Sequence, residues 1–234
     1  MLSSTLNNES SVNTNKLYFI PRVSWQYEYR TGRRLGINLQ SSVNSPTANQ
    51  LLPTVNNINP LDMYMGNIHL KPEYIHTMQL SWIFFDQFSF TSIFASMNAT
   101  YTQDKINWSR TINHDLSQTQ SLINVADDYR LDARIDFSTP IRKLGVNFRA
   151  KFNETWNQGI NMVNGEENTN TNFIHSLTLS FDNRKNDKLD VNIGGTIQVT
   201  DAKYEIQTSL NKTYFNVAAF TDIAYTPNDN WYFG

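Results

Sequence analysis

The chain has 234 residues, a formal net charge of -2, and no cysteine. It is long enough for one large β domain or two small ones. The balanced charge gives no case for nucleic-acid binding, and the lack of cysteine excludes disulfides and thiolate metal sites. Mean hydropathy is -0.49, and no apolar run reaches the roughly 18 residues of a transmembrane helix. A membrane β-barrel stays open, because alternation dilutes hydropathy along a strand.

Residues 1–16, MLSSTLNNESSVNTNK, lack the basic and apolar regions of a signal peptide. Period-2 alternation then starts in LYFIPRVSWQYEYR, residues 17–30. Pro21, Val23, Trp25, Tyr27 and Tyr29 fall on one face, with Arg22, Ser24, Gln26, Glu28 and Arg30 on the other. After Thr31-Gly32, Leu35, Ile37, Leu39 and Val43 oppose Arg34, Asn38, Gln40 and Ser42. A non-periodic segment rich in Asn and Pro fills residues 44–72. A strand over 73–84 sets Tyr74, Met78, Leu80, Trp82 and Phe84 against Thr77, Gln79 and Ser81. The next strand, 88–105, changes phase between Phe90 and Ile93, which predicts a β-bulge near Thr91-Ser92.

Residues 127–137, DDYRLDARIDF, lie in a strand over about 118–138. Tyr129, Leu131, Ala133, Ile135 and Phe137 form an apolar face, while Asp128, Arg130, Asp132, Arg134 and Asp136 form a ladder of alternating charge. In 146–153, Val146, Phe148, Ala150 and Phe152 oppose Asn147, Arg149, Lys151 and Asn153. Residues 157–171 are expected to be a polar loop. Strands over 172–181, 189–200 and 214–226 follow, with Ile193 placed near the middle of the second. Gly194-Gly195 marks a kink or close packing rather than a phosphate loop.

The connections near 31, 86, 140, 185 and 228 are short. Those at 44–72, 106–117, 158–170 and 202–212 are expected to be longer and polar. Short and long alternate, which gathers the short turns at one end of the sheet, as in a membrane barrel with tight periplasmic turns and longer outer loops. Several strands reach the roughly 9–11 residues that cross a bilayer. The expected fold is therefore all-β, an antiparallel up-and-down transmembrane β-barrel. About ten strands are readable, a partial barrel over residues 1–234 that is cut at both ends and lacks a signal peptide. The polar faces would line a lumen, where Asp132 or Asp136 could pair across strands with Arg149 and Lys151.

Residues 45–73 read SPTANQLLPTVNNINPLDMYMGNIHLKPE. This resembles the TonB-dependent receptors of the bacterial outer membrane, in particular the large β-barrel family abundant in Bacteroidetes. The likeness rests on Pro46, Gln50, Leu51, Pro53, Asn59, Pro60, Leu61, Gly66, Asn67, Leu70, Lys71, Pro72 and Glu73. Ile68 departs from the family's usual proline. The resemblance implies a twenty-two-strand barrel around an N-terminal plug that this segment lacks. It implies a Gram-negative outer-membrane location, contact with outer-membrane lipid, and an energy-transducing periplasmic partner for the full-length protein. A surface lipoprotein is a further candidate partner.

The function expected is the pore wall of an importer, with 44–72 contacting ligand or plug. Two alternatives are an adhesion or binding module without transport, and an outer-membrane hydrolase. The hydrolase is disfavoured: Asp132 and Asp136 at i, i+4 on a strand stand about 13 Å apart, beyond the roughly 5–9.5 Å of glycosidase pairs. His69, His76, His114 and His175 are scattered without ligand spacing. No catalytic residue, metal site or cofactor is expected. Aromatics near strand ends, including Trp25, Trp82, Trp156 and Tyr225, fit interfacial girdles.

Overall fold

The computed structural model describes residues 17–56, 59, 61–183, 188–206, 208–228 and 231–233. Pro60 and most of the expected turn near 185 lie outside the described residues. The described chain folds into one sheet that is antiparallel along its main path. Its main path is β1 (Arg22–Arg30), β2 (Arg33–Asn44), β5 (Glu73–Asp86), β6 (Thr91–Ile112), β7 (Gln118–Ile141), β8 (Val146–Val163), β9 (Glu166–Asn183), β10 (Leu189–Tyr204), β11 (Lys212–Asn228) and β12 (Trp231–Phe233). Each strand on this path pairs with its sequence neighbours, so the order is up-and-down. The sheet does not close among the described residues. Between β2 and β5 lie a short helix α1 (Ala48–Leu51) and the strands β3 (Val55–Asn56) and β4 (Asp62–Met65); this segment is called the strap below.

Register decides which residues share a face, because directly opposed residues of a pair point the same way. Ser96, Arg134 and Asn153 are in line, as are Phe94, Asp136, Lys151 and Thr178. The alternate rows carry Ala95, Ile135, Phe152 and Leu177. The sheet therefore has one polar and one apolar face, as the alternation predicts. The apolar face is not a core: Ile135, Leu179 and Val217 are 46%, 41% and 60% exposed. The only buried hydrophobic side chains among the described residues are Leu70, Leu122 and Val125, all beside the strap.

Two lines of rings cross the apolar face. One passes from His76 to Tyr101, Tyr129, Trp156 and Phe173, with successive centroids 5.8, 5.2, 6.4 and 6.3 Å apart. The other passes from Phe137 to Phe148 and Phe181, at 6.2 and 5.2 Å. On β7, β8 and β9 the two lines are the same eight residues apart: 129 to 137, 148 to 156, and 173 to 181. Eight residues span about 26 Å of strand.

The structure corrects four expectations. Most of each stretch read as a long polar loop at 106–117 and 158–170 is strand, while at 202–212 a connection remains between Tyr204 and Lys212. β6 reaches Ile112, β8 and β9 leave only Asn164-Gly165 between them, and β10 reaches Tyr204. Asn164 and Gly165 have φ of 52° and 83°, the left-handed pair that a two-residue hairpin turn requires. No bulge exists at Thr91-Ser92: the β5–β6 register is continuous to Asp86 opposite Thr91, and Phe88 and Phe90 belong to the turn. Ile193 is not central, since it lies opposite Phe181 of the second ring line; Ile197, opposite Leu177, lies halfway between the lines. The first strand begins at Arg22 rather than at residue 17. Gly194 is a close-packing position as expected: a Cβ there would press into the Phe220 ring and stand 2.7 Å from the Leu179 carbonyl oxygen.

Candidate functional site

The charged wall is built from β7, β8 and β9. Asp128, Arg130, Asp132, Arg134, Asp136, Arg149 and Lys151 all lie on the polar face, as their register requires. Their pairing differs from the cross-strand scheme expected for Asp132 and Asp136. Arg130 Nε donates to Asp132 Oδ2 at 2.7 Å, and its Nη2 donates to Oδ1 at 3.1 Å. Arg134 holds Asp136 in the same two-pronged way. Residues i and i+2 of one strand share a face about 6.6 Å apart, which a flexible arginine spans easily. Arg149 pairs instead with Asp182 of β9, Nε to Oδ2 3.0 Å. Thr155 adds a hydrogen bond to Asp132 at 3.0 Å.

The strap covers the end of this wall remote from the turns near 31, 86 and 141. Thr47 and Gln50 form a capping box around α1; the Thr47 N–H donates to Gln50 Oε1 at 2.8 Å. Pro46 and Pro53 flank the helix, and Leu51 ends it. Asn59 starts the turn into β4 by accepting from the Leu61 N–H at 3.1 Å. β4 then pairs in parallel with Gln118–Ser121 of β7. Gly66 passes so close to the backbone of α1 that an added Cβ would overlap the Leu52 carbonyl and stand 3.0 Å from Gln50 O. Asn67 fastens the strap twice: its side chain donates to Leu122 O at 2.8 Å and accepts from the His69 N–H at 2.9 Å. The Asn67 side chain thus holds the turn through Ile68. Leu70 fills the small core. Lys71 contributes only backbone, its N–H donating to Asn124 Oδ1 at 2.7 Å and its carbonyl accepting from Asn124 Nδ2 at 3.0 Å.

Glu73 closes the strap after Pro72. It is 4% exposed and lies just outside the first ring line, which Tyr74 and His76 join. Asn44 Nδ2, Lys105 Nζ and the Ile106 N–H contact its carboxylate at 2.8, 2.9 and 2.9 Å. Burial pushes its pKa up, but these three partners outweigh burial and hold it below the usual glutamate value. Lys105 reaches Glu73 next to a left-handed residue, Asp104, with φ 54°. Sequence reasoning missed Asn44, Lys105, Leu122 and Asn124. The one available signal was Asn124, a side chain with both donor and acceptor set between apolar Leu122 and Val125.

Two further polar contacts on the apolar face were also unforeseen. Ser41 Oγ meets His76 Nδ1 at 2.8 Å, and His175 Nδ1 meets Glu154 Oε2 at 2.5 Å.

An exposed apolar face between two aromatic lines, backed by a full-length polar face, defines a class: a wall with lipid on one side and water on the other. With strands tilted by about 35–45°, the 26 Å between ring lines becomes about 20 Å of depth, near the roughly 25 Å apolar band of such barrels. Residues 2–224 match the model of the outer membrane protein β-barrel family. The chain belongs to that family, and its place is the outer membrane. No curated protein and no solved structure matches it.

Proposed function

We propose that this chain forms pore wall and rim of an importer resembling the TonB-dependent receptors, working with a plug and an energy-transducing periplasmic partner in the full-length protein. The observation that supports this best is the strap. Its family-like residues are not spread over a flexible loop: they fasten a folded element across the end of a charged wall, with Gly66, Asn67 and Glu73 at its anchor points. Such a placement suits a segment that meets ligand at the mouth and plug within. In this reading the Arg130–Asp132 and Arg134–Asp136 pairs keep the wall hydrated yet nearly neutral, so a plug can seat and release.

An adhesion module is the second reading, favoured by the exposed apolar side chains Trp108, Ile112 and Leu116 near the β6–β7 hairpin tip, 45%, 46% and 82% exposed. Comparative metabolite profiling of host cells separates the two. An importer leaves at least one medium component depleted inside cells that lack the full-length gene, and inside wild-type cells treated with an uncoupler. Unchanged interiors together with lost surface attachment would support adhesion. In planar bilayers, Arg134→Leu in the full-length protein is expected to raise basal ion leak; identical leak removes the gating role of the ladder.

A further inference from the structure

The ion pairs of the charged wall leave one cation over. Arg130, Arg134 and Arg149 are matched to Asp132, Asp136 and Asp182. Lys151 has no ion pair among the described residues. Its cross-strand neighbour is Asp136, but both oxygens of that carboxylate are already held by Arg134. Lys151 lines a pocket of about 290 Å³ on the polar face with Arg149, Ser92, Ser138, Thr178 and Ser180. Register makes this a compact grid. Ser92, Ser138, Arg149 and Ser180 form one row, and Phe94, Asp136, Lys151 and Thr178 form the next, with Phe94 closing one side of the pocket.

We propose that this pocket is an oxyanion site, taking a carboxylate or phosphate group between Lys151 and Arg149. Two cations at i and i+2 on one strand face the same way, about 6.6 Å apart. That leaves room for an oxyanion to accept from both at once, as charge-assisted hydrogen bonds do most strongly. The serine hydroxyls around them can turn to donate to the remaining oxygens. A cation is disfavoured here, because the one carboxylate lining the pocket is occupied. The volume suits one charged group rather than a whole large solute. The site lies toward the end of the wall that carries the β7–β8 turn, beside the second ring line. As a station on a solute's route it rests on the importer reading above, and it narrows the solute to one bearing an anionic group. The same chemistry could instead be met by an acidic side chain from elsewhere in the full-length chain.

Acetylation of lysine amines in the detergent-solubilised full-length protein, read residue by residue by mass spectrometry, tests this. Inorganic phosphate is compared with chloride at equal ionic strength, and Lys143, in the exposed turn between β7 and β8, is the internal control. With phosphate at about twice its Kd, the free Lys151 amine falls about threefold, and Lys143 does not change. Arg149→Gln abolishes that protection while the variant still migrates as a folded, heat-modifiable barrel. If an acidic side chain is the occupant, Lys151 is unreactive in both buffers at low salt and becomes reactive at high salt. Lys151 reacting as freely as Lys143 in both buffers would overturn the proposal. Protection of Lys151 without energised uptake would leave the site standing and remove only the importer reading.

Discussion

Between the ring lines, β7, β8 and β9 follow one pattern: every second side chain faces a medium that tolerates Ile, Leu and Phe, with the Glu154–His175 pair as the exception, and the alternate side chains carry charged, amide or hydroxyl groups apart from Ile174. Beyond the first line the same strands follow another. There Leu122 and Val125 are buried at 7% and 5% exposure, β7 takes β4 as a new partner, and the end of β8 pairs with Ser109-Arg110 of β6. Asn164 and Asn107 stitch this region with side-chain bonds to the backbone of Ile112 and Ile160, both 2.8 Å. The first region is a two-sided wall whose stability depends on its solvent. The second is a small water-exposed fold with a core and specific polar ties. Hydrophobic pattern governs the first; turn chemistry and side-chain amides govern the second.

The largest effect that can break this comparison is depth. Leu177 lies midway between Phe173 and Phe181 on β9, and it is 39% exposed on the apolar face. Thr171 points the same way but lies beyond the first ring line. An arginine at the midplane of a lipid-facing strand costs about 2–4 kcal/mol, against about 0–1 near the interface. Folding titrations of the complete barrel into lipid vesicles should show that gap between Leu177→Arg and Thr171→Arg. Equal losses would mean that the apolar face does not meet a lipid of that thickness. Ile193→Arg should fall between them, since Ile193 sits at the level of Phe181 rather than at mid-depth.

How much of each region could be read from sequence follows from the same contrast. Alternation over LYFIPRVSWQYEYR or DDYRLDARIDF needs only a period, and a period survives in a single sequence. That is why the faces of the crossing strands and the shared wall of Asp128 to Lys151 were legible. The partners of those charges were not. Arginine reaches an i+2 aspartate on its own strand as readily as a cross-strand one, and rotamers leave no trace in spacing. The polar hairpin ends looked like loops because Asn and Thr are turn formers by composition. Yet Asn164-Gly165 carried the strongest short hairpin signal in the chain, and it places the turn inside the stretch read as a loop. In the strap, the family-like residues were visible, but their partners Asn44, Lys105, Leu122 and Asn124 come from three other strands.

A smaller effect sharpens the strap side. Gly66→Ala puts a methyl group into the Leu52 carbonyl, with Gln50 O only 3.0 Å away. Both neighbours are backbone, so the strap must shift as a unit. Overpacking of this kind costs about 1–3 kcal/mol. Because the strap is tied to the wall's end and not to the crossing segments, the loss should be local. Hydrogen exchange should speed up over 47–72 and 122–124 while amides of 148–156 and 173–181 keep their protection. Uniform loss of protection in both regions would show that the strap and the wall fold as one unit.

The smallest effect tests the hairpin that replaced the expected loop. Gly165 has φ +83° and no heavy atom within 4 Å of where a Cβ would stand. Gly165→Ala therefore meets no steric clash with neighbours and is charged only for the left-handed backbone, about 1 kcal/mol. The consequence is confined by the pairing. Val163 opposite Glu166 and Met162 opposite Glu167 are the first pairs to fray, and they carry with them the contact between the hairpin tip and Arg110, where the Asn164 N–H donates to the carbonyl oxygen at 2.8 Å. Faster exchange at 160–168 and at Ile112, with no change at Trp156 or Phe173, is the expected result. A flexible 158–170 loop predicts something different: no protected amides there in the parent chain, and no response to the substitution. A parent protein whose residues 160–168 exchange freely would restore the loop reading and return this end of the sheet to the pattern that composition alone suggested.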